Sequence, residues 1–251
     1  MRPIDGHAHV GSWNLPEFAG RTNTVADASS IYSRYNWAGA LLVPTDQAQS
    51  APLALQAAQA SGPVVFRTAF WADIDAPESP ARFEESVSRF AALKLHPSCH
   101  RTAVTDPRWR PFCEVASKAG LPAVVHCGRW QEVAGFAHAL ELAAAFPSMP
   151  VILAHMGGDS PHLVTGAVDS VLQDKLDNVF FGTESIREPW LLEMAIARLG
   201  ASRLVFGSDY NLNHPEMFRR LIEVLNITDK QREAIFRNNI NGLVPTPLRF
   251  F

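Results

Sequence analysis

Cysteine is scarce in this 251-residue sequence, and the cysteines present indicate neither a disulfide framework nor a cysteine-based metal site. There are three, Cys99, Cys113 and Cys127, an odd number whose spacing fits no such pattern. We therefore expect reduced thiols, as in a cytoplasmic protein. The opening residues, MRPIDGHAHV, also lack the apolar run and small-residue cleavage site of a secretory signal.

Excess positive charge and long apolar runs are missing as well. Lysine and arginine total 22 against 25 acidic residues, a net charge of -3, so there is no basic surface to hold a phosphate backbone. No segment approaches the ~18 consecutive apolar residues that a membrane helix requires. We expect a small-molecule substrate as the partner, and neither nucleic acid nor a membrane. The oligomeric state stays open.

The sequence is rich instead in short apolar runs typical of buried strands. Eight of them recur at intervals of 25 to 34 residues, starting at Pro3, Trp37, Val64, Ala92, Pro122, Val151, Val179 and Leu204. One strand, one helix and two short loops need about this length, and such units pair in parallel. We predict an α/β fold with one domain over residues 1–251, a single (β/α)₈ TIM barrel. An open doubly wound sheet is the alternative, but it rarely contains eight units so evenly spaced.

Two segments lie outside this regular pattern. Thr228 and Gln231 form the sequence signature of a capping box, which predicts an extra C-terminal helix beyond the eighth unit. The segment from Gly11 to Asn23 is too irregular for a helix, and we expect it to be a long loop after the first strand.

The histidines are concentrated at one kind of position. Five of the nine fall at or near the ends of predicted strands: His7, His9, His96, His126 and His155. The carboxyl ends of barrel strands meet on one face, where active sites of this fold lie. His7 and His9 are two residues apart on a strand and so share a face. Together with Asp209, which ends the eighth run, these histidines provide nitrogen and oxygen ligands that suit zinc, manganese or iron.

Five motifs resemble those of the amidohydrolase superfamily, in particular its amidohydrolase-2 branch of TIM-barrel hydrolases and decarboxylases. They are DGHAH (5–9), KLHP (94–97), VVHCG (124–128), LAHMGG (153–158) and FGSD (206–209). The resemblance implies that His7, His9, His126 and Asp209 bind one divalent metal, with Zn²⁺ expected first and Mn²⁺ or Fe²⁺ as alternatives. It also implies that His155 lies beside the metal-bound water.

This ligand set predicts a metal-dependent hydrolase. A bound cation lowers the pKa of its water from about 15.7 to ~7, and the activated water would attack an amide, ester or lactone carbonyl of a small, carboxylate-bearing substrate. In that scheme Asp209 takes the proton and passes it to the leaving group, while His155 orients the water or stabilises the oxyanion. Two alternatives stay open: a non-oxidative decarboxylase of an unsaturated or aromatic acid, and a barrel that binds metal without catalysis.

Three basic residues are candidate substrate-binding groups: Lys94, His96 and Arg129. The first two share a face of the fourth strand, and a guanidinium just beyond the fifth strand suits a carboxylate. Lys94 has two further interpretations, as a carboxylated lysine bridging two metals or as a buried cation paired with Asp209. Glu184 ends the seventh strand, where it either orients a ligand or belongs to a simple buried polar pair.

Overall fold

The strands form a single curved sheet. The computed structural model describes residues 1–15, 18, 20–128 and 130–251, with the backbone alone for residue 47. Within these residues nine strands are hydrogen-bonded in the order β2-β1-β3-β4-β5-β6-β7-β8-β9. They are β1 (Ile4–Ser12), β2 (Thr22–Asn23), β3 (Gly39–Pro44), β4 (Val65–Trp71), β5 (Ala92–Leu95), β6 (Ala123–Val125), β7 (Val151–Leu153), β8 (Val179–Gly182) and β9 (Leu204–Val205).

The eight predicted strands correspond to β1 and β3 to β9, and every adjacent pair among them is parallel. The two ends of this series meet just beyond β9. Asp209 donates a backbone hydrogen bond of 2.9 Å to the His7 carbonyl, and Ala8 forms a parallel bridge with Tyr210. Because these contacts join the first strand to the last, the sheet closes on itself, and the predicted (β/α)₈ TIM barrel is confirmed.

Helices cover the outside of the sheet. They are α1 (Val25–Arg34), α2 (Ser50–Gln59), α3 (Ser79–Ser86), α4 (Pro97–His100), α5 (Arg110–Ala119), α6 (Gln131–Ala134), α7 (Phe136–Ala145), α8 (Pro161–Asp174), α9 (Pro189–Leu199), α10 (Pro215–Glu223), α11 (Asp229–Glu233) and α12 (Asn239–Leu243). The predicted capping box is present. The Thr228 hydroxyl accepts a hydrogen bond from the backbone amide of Gln231, and the Gln231 side chain accepts one from the backbone amide of Thr228. In the part of the chain described, no helix has the length and apolar character needed to cross a membrane.

The segment predicted as an irregular loop contains a short antiparallel ribbon. β1 runs on to Ser12, and Gly11 and Ser12 pair with Asn23 and Thr22. The Asn23 side chain fixes this ribbon, because its amide donates to the His9 carbonyl at 3.0 Å and its oxygen accepts from the Gly11 amide at 3.2 Å. These side-chain bonds stabilise a ribbon that strand periodicity does not indicate.

The barrel interior is closed at its amino-terminal end by the C-terminal tail. Phe250 is buried against the interior apolar cluster that includes Ile4 and Leu41. The Phe250 amide donates to the Asn241 side chain at 2.7 Å. Gly39 allows the ring to approach, since a Cβ there would lie 2.6 Å from Phe250 Cδ1. The tail therefore packs on its own barrel.

Candidate metal centre

Three side chains predicted to bind metal converge at the carboxyl-terminal face of the barrel. His7 and His9 lie on β1, and Asp209 lies four residues beyond β9. One ligand atom from each of the three lies within 4.8 Å of the others. All three residues are buried, with exposed fractions of 2%, 3% and 6%. His9 Nε2 is 3.4 Å from Asp209 Oδ1.

The backbone is irregular where these side chains converge. The pairing of β1 with β3 shifts by one residue between Asp5 and Ala8, the stretch that contains His7. Asp209 has a φ of 60° and His155 a φ of 55°, both in the left-handed region. Only a few per cent of non-glycine residues adopt this conformation, although aspartate and histidine do so more often than most. Backbone strain of this kind concentrates at functional sites, where the surrounding structure maintains it.

Glu184, just beyond β8, fixes the orientation of His7. Its Oε1 lies 2.7 Å from His7 Nδ1 and also accepts from the His155 amide at 3.3 Å. Two glycines make room for this carboxylate: a Cβ at Gly182 or Gly207 would lie 2.4 or 2.5 Å from Glu184 Oε2. With the Nδ1 proton donated to Glu184, the His7 Nε2 lone pair faces the centre, as in carboxylate–histidine–metal arrangements. Of the two interpretations left open for Glu184, the geometry favours orientation of a ligand.

His126, the fourth predicted ligand, lies beside this group and does not belong to it. Its Nδ1 is 3.3 Å from His155 Nε2, and its ring stacks on His96 with centroids 4.0 Å apart. His96 stacks in turn on Trp71 at 5.1 Å. The Cys99 amide donates to His96 Nδ1, which leaves its Nε2 as a hydrogen-bond donor. That His126 is a metal ligand stays a prediction, and so does the adjacent role of His155.

Lys94 lies in the barrel interior with an exposed fraction of 0%. Its Nζ is 3.2 Å from His7 Nε2. Burial lowers the pKa of Lys94 to about 8, against the opposite influence of the Glu184 and Asp209 carboxylates. Lys94 therefore brings a buried amine to the edge of the candidate metal centre. Arg129, also predicted to bind substrate, lies outside the described residues.

The protonation states favour cation binding. Burial lowers the pKa of the His7 imidazole well below its ordinary value, and that of His126 likewise, so both imidazoles are neutral at physiological pH. Burial by itself would raise the pKa of Asp209, but the hydrogen bond with His9 and the field of His155 outweigh it and hold the pKa below its usual range. Metal ligands must be deprotonated in this way. Within the described residues, His9 Nδ1 is buried and has no hydrogen-bond partner. These donors fit a divalent cation.

Sequence reasoning gave no role to Asp5, although this residue belongs to the DGHAH motif. It is fully buried, and its carboxylate accepts four hydrogen bonds, two of them from Tyr32 and Ser208 hydroxyls. Burial raises the pKa of Asp5 to about 6, opposed by these bonds. The signal was available: an acidic residue inside an apolar strand requires several donors around it.

The closed parallel barrel and the buried cluster of imidazoles and a carboxylate at its carboxyl face define a TIM-barrel enzyme with a candidate metal centre. A family model of amidohydrolases matches residues 4–244. The chain belongs to the amidohydrolase family, of the amidohydrolase-2 type, as the sequence motifs predict.

Individual relatives are more distant. The chain is 27% identical over 214 residues to a 2-keto-4-carboxy-3-hexenedioate hydratase from Sphingobium sp., a match that covers 69% of this chain and 62% of the hydratase. Among solved structures, 5-carboxyvanillate decarboxylase from Sphingomonas paucimobilis has a TM-score of 0.74 at 15% identity, covering 96% of this chain and 98% of that one. A dihydroxybenzoic acid decarboxylase from Polaromonas sp., with bound manganese and 2-nitroresorcinol, has a TM-score of 0.75 at 17% identity, covering 96% of each chain. At these identities the structural likeness shows the fold.

Proposed function

We propose that this protein is a metal-dependent hydrolase that opens an amide, ester or lactone bond in a small, carboxylate-bearing substrate. The observation that carries the proposal is the buried convergence of His7, His9 and Asp209 at the catalytic face of the barrel. Two imidazole nitrogens and one carboxylate are a common ligand set for a catalytic divalent metal. His126 is the candidate fourth ligand, and Zn²⁺, Mn²⁺ and Fe²⁺ are the candidate ions.

A divalent cation at this centre would lower the pKa of water and polarise the carbonyl of the substrate. The lowered pKa of Asp209 keeps this carboxylate ionised, as a metal ligand must be, and we assign Asp209 the role of proton acceptor from the water. The ring centroid of His155 lies 6.2 Å from that of His7, and we give His155 the role of orienting the water or stabilising the developing oxyanion. Glu184 holds the His7 ring in the orientation that directs Nε2 to the centre.

The basic groups around the centre support a substrate that carries a carboxylate. Lys94 brings a buried amine within 3.2 Å of His7 Nε2, and a substrate carboxylate would give it a partner of opposite charge. His96 is fixed by stacking between Trp71 and His126 and has its Nε2 free to donate. We keep Arg129 as a third carboxylate-binding candidate on the basis of its position after β6.

Hydration of a carbon–carbon double bond is a second candidate, which the 27% identity to a hydratase favours. Hydrolysis and hydration both add water at a trigonal carbon, and in both the same residues would transfer the proton of the water. Decarboxylation, the alternative from the sequence motifs, differs because it releases CO₂. The products therefore distinguish the three reactions on one panel of lactones, unsaturated acids and aromatic acids.

Metal content and turnover, measured together, test the proposal. We expect the purified protein to contain about one divalent metal per chain, and His7→Ala and Asp209→Asn to lose both metal and activity. His162→Ala and Asp174→Asn, at exposed positions, are matched controls that should retain both. Full metal content and activity in the first two variants would refute the proposal. A metal-loaded protein that converts no member of the panel would instead support binding without catalysis.

A further inference from the structure

Asp5 joins the first strand of the barrel to the last at the candidate metal centre. Its Oδ1 accepts from the backbone amide of His7 at 3.1 Å and from that of Ser208 at 3.0 Å. Its Oδ2 accepts from the hydroxyl of Tyr32 at 2.6 Å and from that of Ser208. One carboxylate thus accepts four hydrogen bonds, which uses essentially all of its acceptor capacity.

The two backbone amides belong to a candidate ligand and to a neighbour of another. One is the amide of His7, and the other is that of Ser208, which directly precedes Asp209 in the chain. The pairing of β1 with β3 shifts register between Asp5 and Ala8, the stretch that contains His7. Asp209 has a φ of 60° and lies beyond the last residue of β9. The bond from the Asp209 amide to the His7 carbonyl joins the two segments directly, and the Asp5 carboxylate adds a side-chain bridge between them.

We propose that Asp5 is a positioning residue that sets the separation of His7 and Asp209 before a cation arrives, and that this fixes the affinity of the site. The inference rests on the proposed metal-dependent function. It assigns Asp5 no contact with metal or substrate, since its four bonds all lead to protein groups. Outer groups that orient metal ligands contribute about 10- to 100-fold in metal affinity.

Asp5→Asn is the informative variant because it preserves shape. The asparagine oxygen can still accept hydrogen bonds from the backbone amides of His7 and Ser208. Its NH₂ group, however, is a donor at the place where the carboxylate accepts from the hydroxyls of Tyr32 and Ser208. We expect the dissociation constant for Zn²⁺ and Mn²⁺, measured on metal-free protein against a chromophoric chelator, to rise about 10- to 100-fold. Asp106→Asn is the matched control: its carboxylate also accepts from a backbone amide, that of Arg108, but this bond involves neither His7 nor Ser208. It should bind metal as the wild type does.

Thermal unfolding of the metal-free variants separates positioning from a general contribution to stability. If Asp5→Asn lowers the melting temperature and leaves the metal dissociation constant unchanged, Asp5 only stabilises the fold and the inference is refuted. If the wild type binds none of Zn²⁺, Mn²⁺ and Fe²⁺, the proposed metal-dependent function itself is refuted. The two failures are therefore distinguishable.

Hydrogen exchange of the wild type provides a test that does not require the variant to fold. If Asp5 holds the ligands in advance, peptides covering residues 4–9 and 206–210 should gain no more protection on metal binding than a reference peptide covering residues 65–71 gains through the overall stabilisation. Extra protection of at least tenfold at residues 4–9 and 206–210 would mean that the cation creates this order, and would overturn the proposal.

Discussion

Replacing Phe250 with alanine should destabilise the protein far more than the same change at Phe251. Phe250 is 6% exposed and lies against the apolar interior of the barrel, whereas Phe251 is 59% exposed. Removing a buried phenylalanine costs about 3–5 kcal/mol, because the lost transfer energy is increased by the cavity left behind. Phe251 contacts the Arg237 guanidinium, 3.9 Å from its ring centroid, and an exposed contact of this kind contributes about 0.5–1 kcal/mol.

In a protein of this size, 1 kcal/mol corresponds to about 2–4 °C in melting temperature. Phe250→Ala should therefore lower the melting temperature by about 6–20 °C, and Phe251→Ala by about 1–4 °C. Differential scanning calorimetry or fluorimetry on both variants in the same buffer measures the difference. Equal shifts for the two variants, or a shift below about 3 °C for Phe250→Ala, would refute the view that the tail closes the barrel.

Three further predictions follow from the site and the core. Glu184→Gln should weaken metal binding about 10- to 100-fold, whereas Glu188→Gln, which removes a carboxylate on the same loop, should leave it unchanged. Equal metal dissociation constants for the two variants in a chelator competition would contradict the role given to Glu184. Metal removal should lower the melting temperature by about 5–11 °C relative to protein at metal concentrations 100 times the dissociation constant, and an unchanged value would argue against the site. With Ellman's reagent at pH 9 the native protein should show one reactive thiol, that of the exposed Cys99. The other two cysteines, Cys113 and Cys127, are buried, and burial raises the pKa of each thiol to about 12. Rapid reaction of all three thiols would show that these two are accessible.

The strands were predictable because each barrel strand is covered on both faces. Such strands appear in the sequence as short apolar runs at a regular spacing, and all eight runs contain a strand. The boundaries were less predictable. The eighth run continues to Asp209 in the sequence, whereas regular pairing of β9 with β8 ends at Val205 and the remainder contacts β1 through isolated bonds. Closure of a barrel depends on contacts between chain ends, which no local pattern encodes.

The candidate site was predictable in its residue types and only partly in its geometry. Alternation along a strand correctly placed His7 and His9 together, and strand ends brought Asp209 to them. The ring of His126 stacks on His96 and its Nδ1 lies 3.3 Å from His155 Nε2, contacts that sequence spacing does not indicate. Asp5 and Glu184 each have a hydrogen-bond partner more than 170 residues away in the chain, and only the folded structure identifies these partners.

The seam between β1 and the segment after β9 has a consequence for biosynthesis. The first candidate ligand is residue 7 and the last is residue 209, so a nascent chain carries two imidazoles long before their carboxylate partner exists. Contacts of such sequence separation form late, because a long loop must close first. We expect the protein to bind its cation only after translation has passed β9, when the segment that follows β9 can pair with β1.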